Sequence, residues 1–327
     1  MTPEDPGHIN PQFDVSVIIV NHNTKRLLHD CLRSLTAEAG YISIQTIVVD
    51  NGSSDGSPEM VKTEFPETVL IRNTGNEGFA KPNNQGLHVA EGRYCLLLNS
   101  DTIVKSKGIA GMVRFMDSHL DAGACGPRLL NPDGSLQRSV RSFPSLWRHF
   151  CDMAGLENLF PKSTMFGNFE TRFTYDRTVE VDQPMGAALM VRSEILDSIG
   201  YLDERFVIYY NEVDWCRRIR SAGWKIYFVH TAEIVHYGGK TTEMTNQEFR
   251  QFDEMNRNCL SYYEKHFGFS GLLIYRSLLI VGFTVRVVLW QIVALIRVTP
   301  DVRSRLYFAK RFLALGVRLW ERPENRA

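Results

Sequence analysis

Short apolar runs alternate with stretches of helical periodicity over the first hundred residues of the chain. Four of these runs are predicted strands, over residues 15–23, 42–50, 68–73 and 94–102. Between them, apolar residues recur at the spacing of an amphipathic helix, as from Leu27 to Leu35. Because each predicted strand is nearly all apolar, the pattern indicates an α/β fold, with a mostly parallel sheet covered by helices on both faces.

The alternation loosens after about Gly126. Asn131-Pro132-Asp133-Gly134 predicts a hairpin or surface loop. Residues 183–206 are predicted to form a strand, a helix and a turn, and the pattern is helical from about Glu243 to the end. We therefore expect a flexible N-terminus over 1–12, an α/β domain over 13–242 and a helical region over 243–327.

Polar residues stand at the ends of three predicted strands, at Asn21, Asp50 and Asp101. The carboxyl ends of strands in an open α/β sheet form the ligand-binding edge, so these residues are expected to meet in one crevice. Asp101 could hold Mg²⁺ or Mn²⁺ if phosphate oxygens completed the coordination, or it could cap a helix begun near Ser106 or end a turn. Asp50 could bind a base or ribose, or belong to an ordinary loop in which Ser57 caps the next helix.

Composition narrows the class of protein. Thirty-seven Lys and Arg residues balance 37 Asp and Glu residues, which gives the chain no overall attraction to nucleic acid. The six cysteines form no CxxC pair and are predicted to be buried free thiols. The N-terminal residues include no apolar segment behind a basic start, so we expect a cytoplasmic protein.

Eight segments, in this order, resemble the inverting glycosyltransferases of family 2, which have the GT-A fold. They are VSVIIVNHN, VVDNGSSDGS, NTGNEGFAKPNNQG, LLLNSDT, GPRLLNPDGSLQRSVRSFPS, MGAALMVRSEILDSIGYLDERF, YNEVDWCRRIRSAGW and VHYGGKTT. The segment NPDGSLQRSVRSFPS is most similar to the bacterial rhamnosyltransferase-like branch, which extends lipid-linked cell-surface glycans.

The resemblance implies the reaction and its partners. A sugar, best assigned as L-rhamnose from dTDP-rhamnose, would pass from a nucleotide-diphosphate donor to a polyprenyl-diphosphate-linked or other glycan acceptor. Mg²⁺ or Mn²⁺ would be the cofactor, and the product would serve cell wall or O-antigen polysaccharide synthesis. A UDP- or GDP-sugar donor, a nucleotidyltransferase and a non-catalytic carbohydrate-binding module are the alternatives.

The resemblance also implies roles for individual residues. Asp101 and His236 would bind the metal, although a histidine at such a position can equally be structural. Glu212 would be the catalytic base, since alignment on Val213 and Asp214 puts it where the family has a catalytic Asp. Asp214 itself is expected to support the site or to pair with an arginine one turn on.

The remaining assignments follow from the same alignment. The residues assigned to nucleotide or donor binding are Asn21, Asn23, Asp50, Gly52, Asn76, Gly78, Asn83, Asn99, Ser100, Asp101, Gly186 and Lys240. Those assigned to acceptor binding or support are Arg138, Arg141, Met185, Asp203 and Asp214. A core strand at 185–187 and solvated arginines at 138 and 141 are the structural alternatives.

Residues 271–298 are the most hydrophobic part of the chain, and on a helix their polar side chains fall within one half-turn. This separation favours an amphipathic helix in a membrane interface, with arginines toward anionic headgroups. A single transmembrane helix over 277–296 is one alternative, and a buried helix of a soluble bundle is another. We expect a peripheral protein at the cytoplasmic face of the inner membrane.

Overall fold

The computed structural model describes residues 12–154, 156–167, 173–238, 247–296 and 299–318. The chain divides into two compact units, Met1–Phe143 with Phe173–Gln247 and Pro144–Arg172 with Glu248–Ala327. The sequence had assigned residues 144–172 to the α/β domain, whereas the structure groups them with the C-terminal helices.

The first unit contains the sheet. Its strands are β1 (Phe13–Asn21), β2 (Ile44–Asp50), β3 (Val69–Arg72), β4 (Gly92–Asn99), β5 (Thr102–Val104), β6 (Ala122–Leu130), β7 (Val140–Arg141), β8 (Val179–Glu180), β9 (Gln183–Pro184), β10 (Ala188–Arg192) and β11 (Lys225–His236). Its helices are α1 (Lys25–Thr36), α2 (Ser57–Glu64), α3 (Ala80–His88), α4 (Gly108–Ser118), α7 (Leu196–Ile199) and α8 (Asn211–Ser221). In the second unit lie α5 (Leu146–Met153), α6 (Leu156–Leu159) and α10 (Pro300–Arg318), together with nearly all of α9 (Gln247–Ile296).

The main sheet has the strand order β3-β2-β1-β4-β10-β6-β11-β5, with β8 also paired to β11. The first four strands are parallel, as the apolar runs predicted. Strand β10 is antiparallel to β4 and β6, and β5 and β8 are antiparallel to β11, which makes the sheet mixed. The predicted α/β class is thus confirmed, and the antiparallel strands are a feature that the local pattern did not indicate.

The core lies on both faces of this sheet. Strands β1, β2 and β4 are almost wholly buried, and α1 buries the predicted stripe that ends at Leu35. The six cysteines are buried thiols, as predicted. The buried carboxylate of Glu38 accepts the N–H groups of Ile109 and Ala110, at 3.1 and 3.0 Å. Because a carboxylate at a helix N-terminus satisfies free N–H donors and opposes the helix dipole, Glu38 fixes the start of α4.

The second unit is built around α9, which is interrupted at Gly268, where φ is 66°. Beyond this break one face is buried, through Leu272, Tyr275, Leu279, Phe283 and Val287. The other face is apolar and exposed, through Ile274, Val281, Val285, Val288, Leu289, Ile292, Leu295 and Ile296. The segment Glu254–Ile296 is long and apolar enough to cross a membrane. Exposed apolar surfaces of this size are typical of contacts with other proteins or with lipid.

Candidate active site

The carboxyl ends of β1 and β2 are joined by side-chain hydrogen bonds. Asn21 and Asp50 are register partners, and Asn21 Nδ2 donates to Asp50 Oδ1 at 3.1 Å. The other carboxylate oxygen accepts the Ser53 N–H at 3.0 Å. Thr24 Oγ1 contacts both Asn21 Oδ1, at 2.6 Å, and Ser100 Oγ, at 3.0 Å. Asn21 and Asp50 therefore meet at one edge of the sheet as predicted, and the contact of Thr24 with Ser100 brings the end of β4, next to Asp101, to the same edge.

Asn51 organises this edge, although no role was predicted for it. It is almost fully buried, and its Nδ2 donates to Asn76 Oδ1 at 3.0 Å and to the Gly78 carbonyl at 2.9 Å. Its Oδ1 accepts the Glu77 N–H at 3.0 Å. One buried amide thus holds the loop after β3 against the end of β2. The position of Asn51 directly after the strand-end Asp50 was the only sequence signal that could have identified it.

Two glycines on this edge are required by close backbone approach. Gly52 has φ +77°, and a Cβ there would lie 2.6 Å from Gly75 Cα. Gly78 has φ +84°, and a Cβ there would lie 2.7 Å from the Val207 carbonyl oxygen. The Phe79 N–H donates to that same carbonyl at 2.7 Å. These contacts bring the 76–79 loop against the segment that leads into α8.

Several other residues that were predicted to bind the nucleotide or the sugar donor have defined local roles. Asn23 has φ +53°, and its Oδ1 accepts the Ser54 N–H at 2.8 Å. Asn83 is buried, and its side chain donates to the Phe79 carbonyl within the first turn of α3. Lys240, predicted to bind phosphate, lies outside the described residues.

Two expectations about helix caps were wrong. Helix α2 begins at Ser57, so Ser57 is not its cap, and the Asp55 carboxylate accepts the Ser57 N–H at 3.0 Å. Asp101 caps no helix, because the short strand β5 follows it and α4 begins only at Gly108. The end of β4 is therefore followed by a turn and a strand, and this leaves the Asp101 side chain free of any capping role.

Asp101 and His236 form a buried pair. Asp101 Oδ1 lies 3.4 Å from His236 Nε2, and the two residues are 5% and 8% exposed. Asn99 Nδ2 also lies 3.4 Å from that ring nitrogen. Register pairing of β11 with β5 and a hydrogen bond from the Tyr237 N–H to the Asp101 carbonyl hold the two segments together.

This pair fits a divalent cation. A carboxylate oxygen and an imidazole nitrogen are ordinary ligands of Mn²⁺, and the separation of 3.4 Å is too long for a strong direct hydrogen bond. The part of the chain that the structure describes contains no group of three or more His, Cys, Asp or Glu side chains around one ion position. Two protein ligands suit an ion that takes its remaining ligands from substrate phosphates and water.

Glu212 lies in the first turn of α8. The helix begins directly after two tyrosines in the left-handed region, Tyr209 and Tyr210, each with φ of 64°. Its side chain packs on Gly186, where a Cβ would lie 3.4 Å from Glu212 Cβ. Burial raises the pKa of the Glu212 carboxyl, against the opposing effects of its own backbone N–H and the positive charge of Arg141. A carboxyl with a raised pKa is suited to proton transfer near neutral pH.

Contacts at Gly186 and Ala187 connect Glu212 with the strand that leads to the Asp101–His236 pair. Ala187, next to Gly186, accepts the Asn99 N–H at 2.9 Å, and Asn99 ends the strand that precedes Asp101. Residues 185–187 lie in a turn between β9 and β10 and do not form the core strand named as the structural alternative; this turn contacts Glu212 at Gly186 and the end of β4 at Ala187. Sequence spacing alone could not reveal this connection, because the two ends of the site are more than one hundred residues apart.

The other predicted carboxylates have structural partners. Asp214 is fully buried, and its Oδ2 accepts from Arg218 Nε at 2.9 Å, one turn on, as predicted. Arg218 also donates to the Tyr201 carbonyl at 2.6 Å, which fixes the turn before α8. Asp203 is paired with Arg205 at 2.7 Å in that turn. Both carboxylates therefore act in supporting α8 and the preceding loop.

The predicted acceptor segment lies beside Glu212. Met185 donates its N–H to the Ser139 carbonyl at 2.7 Å, and β7 pairs with β9 through Arg141 and Gln183. Arg138 and Arg141 are exposed, as the structural alternative proposed, but the charge of Arg141 acts on Glu212. The two-stranded sheet thus brings Arg141 to the side of the site that carries the carboxyl.

Comparison with known proteins identifies the family and the fold. Residues 16–193, more than half of the chain, match Glycosyl transferase family 2. N-acetylglucosaminyl-diphospho-decaprenol L-rhamnosyltransferase of Mycobacterium tuberculosis is 28% identical over 214 residues, which are 61% of this chain and 68% of that protein. Low-salt glycan biosynthesis hexosyltransferase Agl10 of Haloferax volcanii is 25% identical over 239 residues, or 68% of this chain and 67% of that protein.

Two solved structures share the fold. Mannosyltransferase PcManGT from Pyrobaculum calidifontis, in complex with GDP-Man and Mn²⁺, aligns with a TM-score of 0.56 and 13% identity over 97% of this chain and 89% of that chain. GalNAc-T7 with UDP, GalNAc and Mn²⁺ aligns with a TM-score of 0.51 and 15% identity over 75% of this chain and 47% of that chain. The chain belongs to glycosyl transferase family 2 and is a glycosyltransferase with the GT-A fold.

Proposed function

We propose that the protein transfers a sugar from a nucleotide-diphosphate donor to a hydroxyl of a lipid-linked saccharide, with inversion at the anomeric carbon. The observation that carries this proposal is the placement of Glu212, a partly buried carboxyl with a raised pKa, whose side chain packs on Gly186 in the turn 185–187, which also contacts the end of β4. The family assignment indicates the class of reaction, and the Glu212 carboxyl is a group that could act as its general base.

The reaction is a single displacement. The acceptor oxygen attacks the anomeric carbon, its proton passes to Glu212, and the bond between that carbon and the donor diphosphate breaks with the electron pair leaving on the diphosphate. Asp214 and Arg218 hold the helix that carries Glu212, and Gly186 leaves room for its side chain. Arg141 supplies positive charge on the same side.

The leaving diphosphate requires opposite charge. Asp101 and His236 would hold Mg²⁺ or Mn²⁺ there, and the cation would neutralise the negative charge that the departing diphosphate gains. Asn21, Asp50 and the 51–53 turn lie at the ends of the neighbouring strands, where a nucleoside would bind. Lys240 is the proposed additional phosphate ligand.

We propose dTDP-L-rhamnose as the donor and a polyprenyl-diphosphate-linked saccharide as the acceptor. The support is the name of the mycobacterial relative, whose acceptor is a diphospho-decaprenol that carries N-acetylglucosamine. The archaeal relative is named only a hexosyltransferase, and the mannosyltransferase of similar fold was solved with GDP-Man. A UDP- or GDP-sugar is therefore the alternative that the test must include.

The test is a transfer assay with purified protein, Mn²⁺ and N-acetylglucosaminyl-diphospho-polyprenol as acceptor. We expect transfer from dTDP-rhamnose, and not from UDP- or GDP-sugars at matched concentrations, with the anomeric configuration of the product opposite to that of the donor. Glu212→Gln is the inactive control. Transfer from a UDP- or GDP-sugar alone would replace the donor assignment, and a product of retained configuration would overturn the displacement.

Membrane attachment through the second unit is the other part of the proposal. The support is the exposed apolar face of α9, together with the basic side chains of α10 at Arg303, Arg305 and Lys310. Within the same unit, Arg286 donates to the Asp152 carbonyl at 2.6 Å, which joins α9 to α5. Around α5 and α6 the unit exposes further apolar side chains, at Trp147, Phe150, Leu159, Phe160 and Met165. Such a surface suits a lipid interface that contains anionic headgroups.

A double substitution on that face tests the attachment. Val285→Glu with Ile292→Glu should release most of the protein from phosphatidylglycerol-containing vesicles in a flotation assay, because two carboxylates would enter the apolar interface. Val89→Glu, at an exposed position on the first unit, is the control and should float like the wild type.

Extraction of the wild type by alkaline carbonate would distinguish a peripheral helix from a spanning one. If the wild-type protein does not float, or the double variant floats equally, the attachment proposal fails.

A further inference from the structure

Gln137 contacts His236 twice, although 99 residues separate them. Its Oε1 lies 2.7 Å from His236 Nδ1, and its Nε2 donates to the His236 carbonyl at 3.2 Å. The same Nε2 donates to Asn131 Oδ1 at 3.0 Å. One amide side chain therefore holds both the ring and the backbone of the histidine at the end of β11.

The surroundings define which end of the Gln137 amide faces the ring. The backbone carbonyl of His236 only accepts hydrogen bonds, so the NH₂ group must lie on that side. Asn131 offers its oxygen there, because its own Nδ2 donates to Ser135 Oγ at 2.9 Å. Both contacts of the Gln137 nitrogen are thus with acceptors, and the Gln137 oxygen is left facing Nδ1 of the ring.

This orientation determines the tautomer of His236. An amide oxygen carries no proton, so a short contact of 2.7 Å requires that Nδ1 carry one. The neutral ring has a single N–H, and Nε2 then has a lone pair, directed to the side of Asp101 and Asn99. The opposite tautomer would point a proton at Asp101 and could not bind a cation through Nε2.

The local backbone leaves room for this arrangement. Gly238, two residues after the histidine, has φ +56°, and a Cβ there would lie 3.4 Å from the Gln137 amide nitrogen. The turn from Asn131 to Gly134 is closed by the Gly134 N–H donating to the Asn131 carbonyl at 2.8 Å. That turn presents Asn131, and through it Gln137, to the end of β11.

We propose that Gln137 is a positioning residue that holds His236 in the Nδ1–H tautomer, so that Nε2 is available to the divalent cation bound with Asp101. The inference rests on the metal role of this pair in the proposed function. Outer hydrogen bonds of this kind fix the orientation of metal-binding histidines and change metal affinity by about 10–100-fold. Gln137 belongs to the segment that resembles the rhamnosyltransferase-like branch, but the sequence assigned it no role.

Two substitutions separate the tautomer from the backbone contact. Gln137→Met keeps the length of the side chain but removes both acceptor and donor, so we expect it to weaken Mn²⁺ binding about 10–100-fold in the presence of a nucleoside diphosphate. Gln137→Glu keeps an acceptor for Nδ1–H and loses the donor to the His236 carbonyl, so its Mn²⁺ affinity should stay close to that of the wild type. Thermal unfolding of both variants checks that the fold is retained.

Nitrogen-15 NMR of histidine-labelled, metal-free protein at alkaline pH reads the tautomer directly, with His236 assigned from the spectrum of His236→Gln. In the wild type and Gln137→Glu we expect a protonated Nδ1 and an unprotonated Nε2, and in Gln137→Met a shift toward the other tautomer.

A wild-type Nε2–H tautomer, or wild-type Mn²⁺ affinity in Gln137→Met, would overturn the inference. If the wild type binds no Mn²⁺ with any nucleoside diphosphate, the proposed function fails, while the tautomer measurement still tests the role of Gln137.

Discussion

Replacing Glu212 by glutamine is expected to lower kcat about a thousandfold while the affinity for the donor nucleotide stays near that of the wild type. The amide keeps the shape of the side chain and its packing on Gly186, but it cannot take the acceptor proton. Single-turnover transfer measures the loss, and calorimetric titration with the nucleotide measures the unchanged affinity. Because binding and chemistry are measured separately, a misfolded variant cannot be mistaken for an inactive one.

Asp203→Asn is the matched control for this substitution. Asp203 is a carboxylate of the loop before α8 and is paired with Arg205. We expect Asp203→Asn to retain most of the wild-type turnover, and Glu212→Asp to retain more turnover than Glu212→Gln because it keeps a base one methylene shorter. If Glu212→Gln kept its turnover and Asp203→Asn lost it, the base would be Asp203.

The pH dependence of kcat/KM is an independent test of Glu212 as the general base. A base works only when deprotonated, so kcat/KM should fall as pH decreases through the pKa of Glu212. Burial raises that pKa above its ordinary value, and the acidic limb should therefore lie at higher pH than for an exposed glutamate. The limb should be absent from the residual activity of Glu212→Gln.

The raised pKa also has a consequence for stability. The folded protein binds the Glu212 proton more tightly than the unfolded chain does, so the free energy of unfolding falls as pH rises from the unfolded pKa to the folded one. Above both values, the fold carries the cost of a charge on this partly buried carboxylate. Glu212→Gln removes that charge and should raise the unfolding temperature at neutral pH. The wild type would then be less stable than the variant because it keeps a carboxylate that catalysis requires.

Replacing Asp101 by asparagine should reduce metal-dependent nucleotide binding by about a hundredfold or more, since a cation site loses one of its two protein ligands and its negative charge. The substitution keeps the size of the side chain at a buried position, so the fold around β4 should survive. The measurement is calorimetric titration with dTDP, UDP and GDP, each with and without Mn²⁺. The same titration of the wild type identifies the base of the preferred nucleotide.

Asp121→Asn is the control for this second prediction. Asp121 is an exposed carboxylate that pairs with Lys225, and Lys225 begins β11 at the end opposite His236. It should leave the titration unchanged. Equal nucleotide binding by Asp101→Asn and the wild type, with the same dependence on Mn²⁺, would show that Asp101 is a turn residue and that the cation is held elsewhere.

The α/β class and the location of the site could be read from the sequence because both depend on local periodicity. Apolar runs of strand length give parallel strands, and the carboxyl ends of such strands share one edge, which is why Asn21 and Asp50 meet as predicted. The pairing of Asp214 with an arginine one turn on follows from helix geometry in the same way. These features required no knowledge of how distant segments pack.

The cap of α2 shows where local reasoning is insufficient even at short range. Serine before proline is a common helix start, and Ser57 was predicted to be the cap, but Asp55 accepts its N–H instead. As a cap, Ser57 would accept an N–H of the first helical turn, whereas its own N–H and hydroxyl donate to Asp55 Oδ1 and Gly56, with φ +79°, stands at the cap position. The serine-proline pattern did not show that the helix begins at Ser57 itself, one residue earlier than predicted.

The sequence alone determined the family resemblance, the strands and the strand-end residues, since each is encoded in a continuous segment of the chain. Tertiary structure alone decided that β10 runs antiparallel to β4, that residues 144–172 group with the C-terminal helices, and that Gln137 faces His236. Each of these depends on packing between segments that are distant in the sequence. Local hydrophobic periodicity specifies which face of an element is buried, but it does not specify the partner against which that face packs.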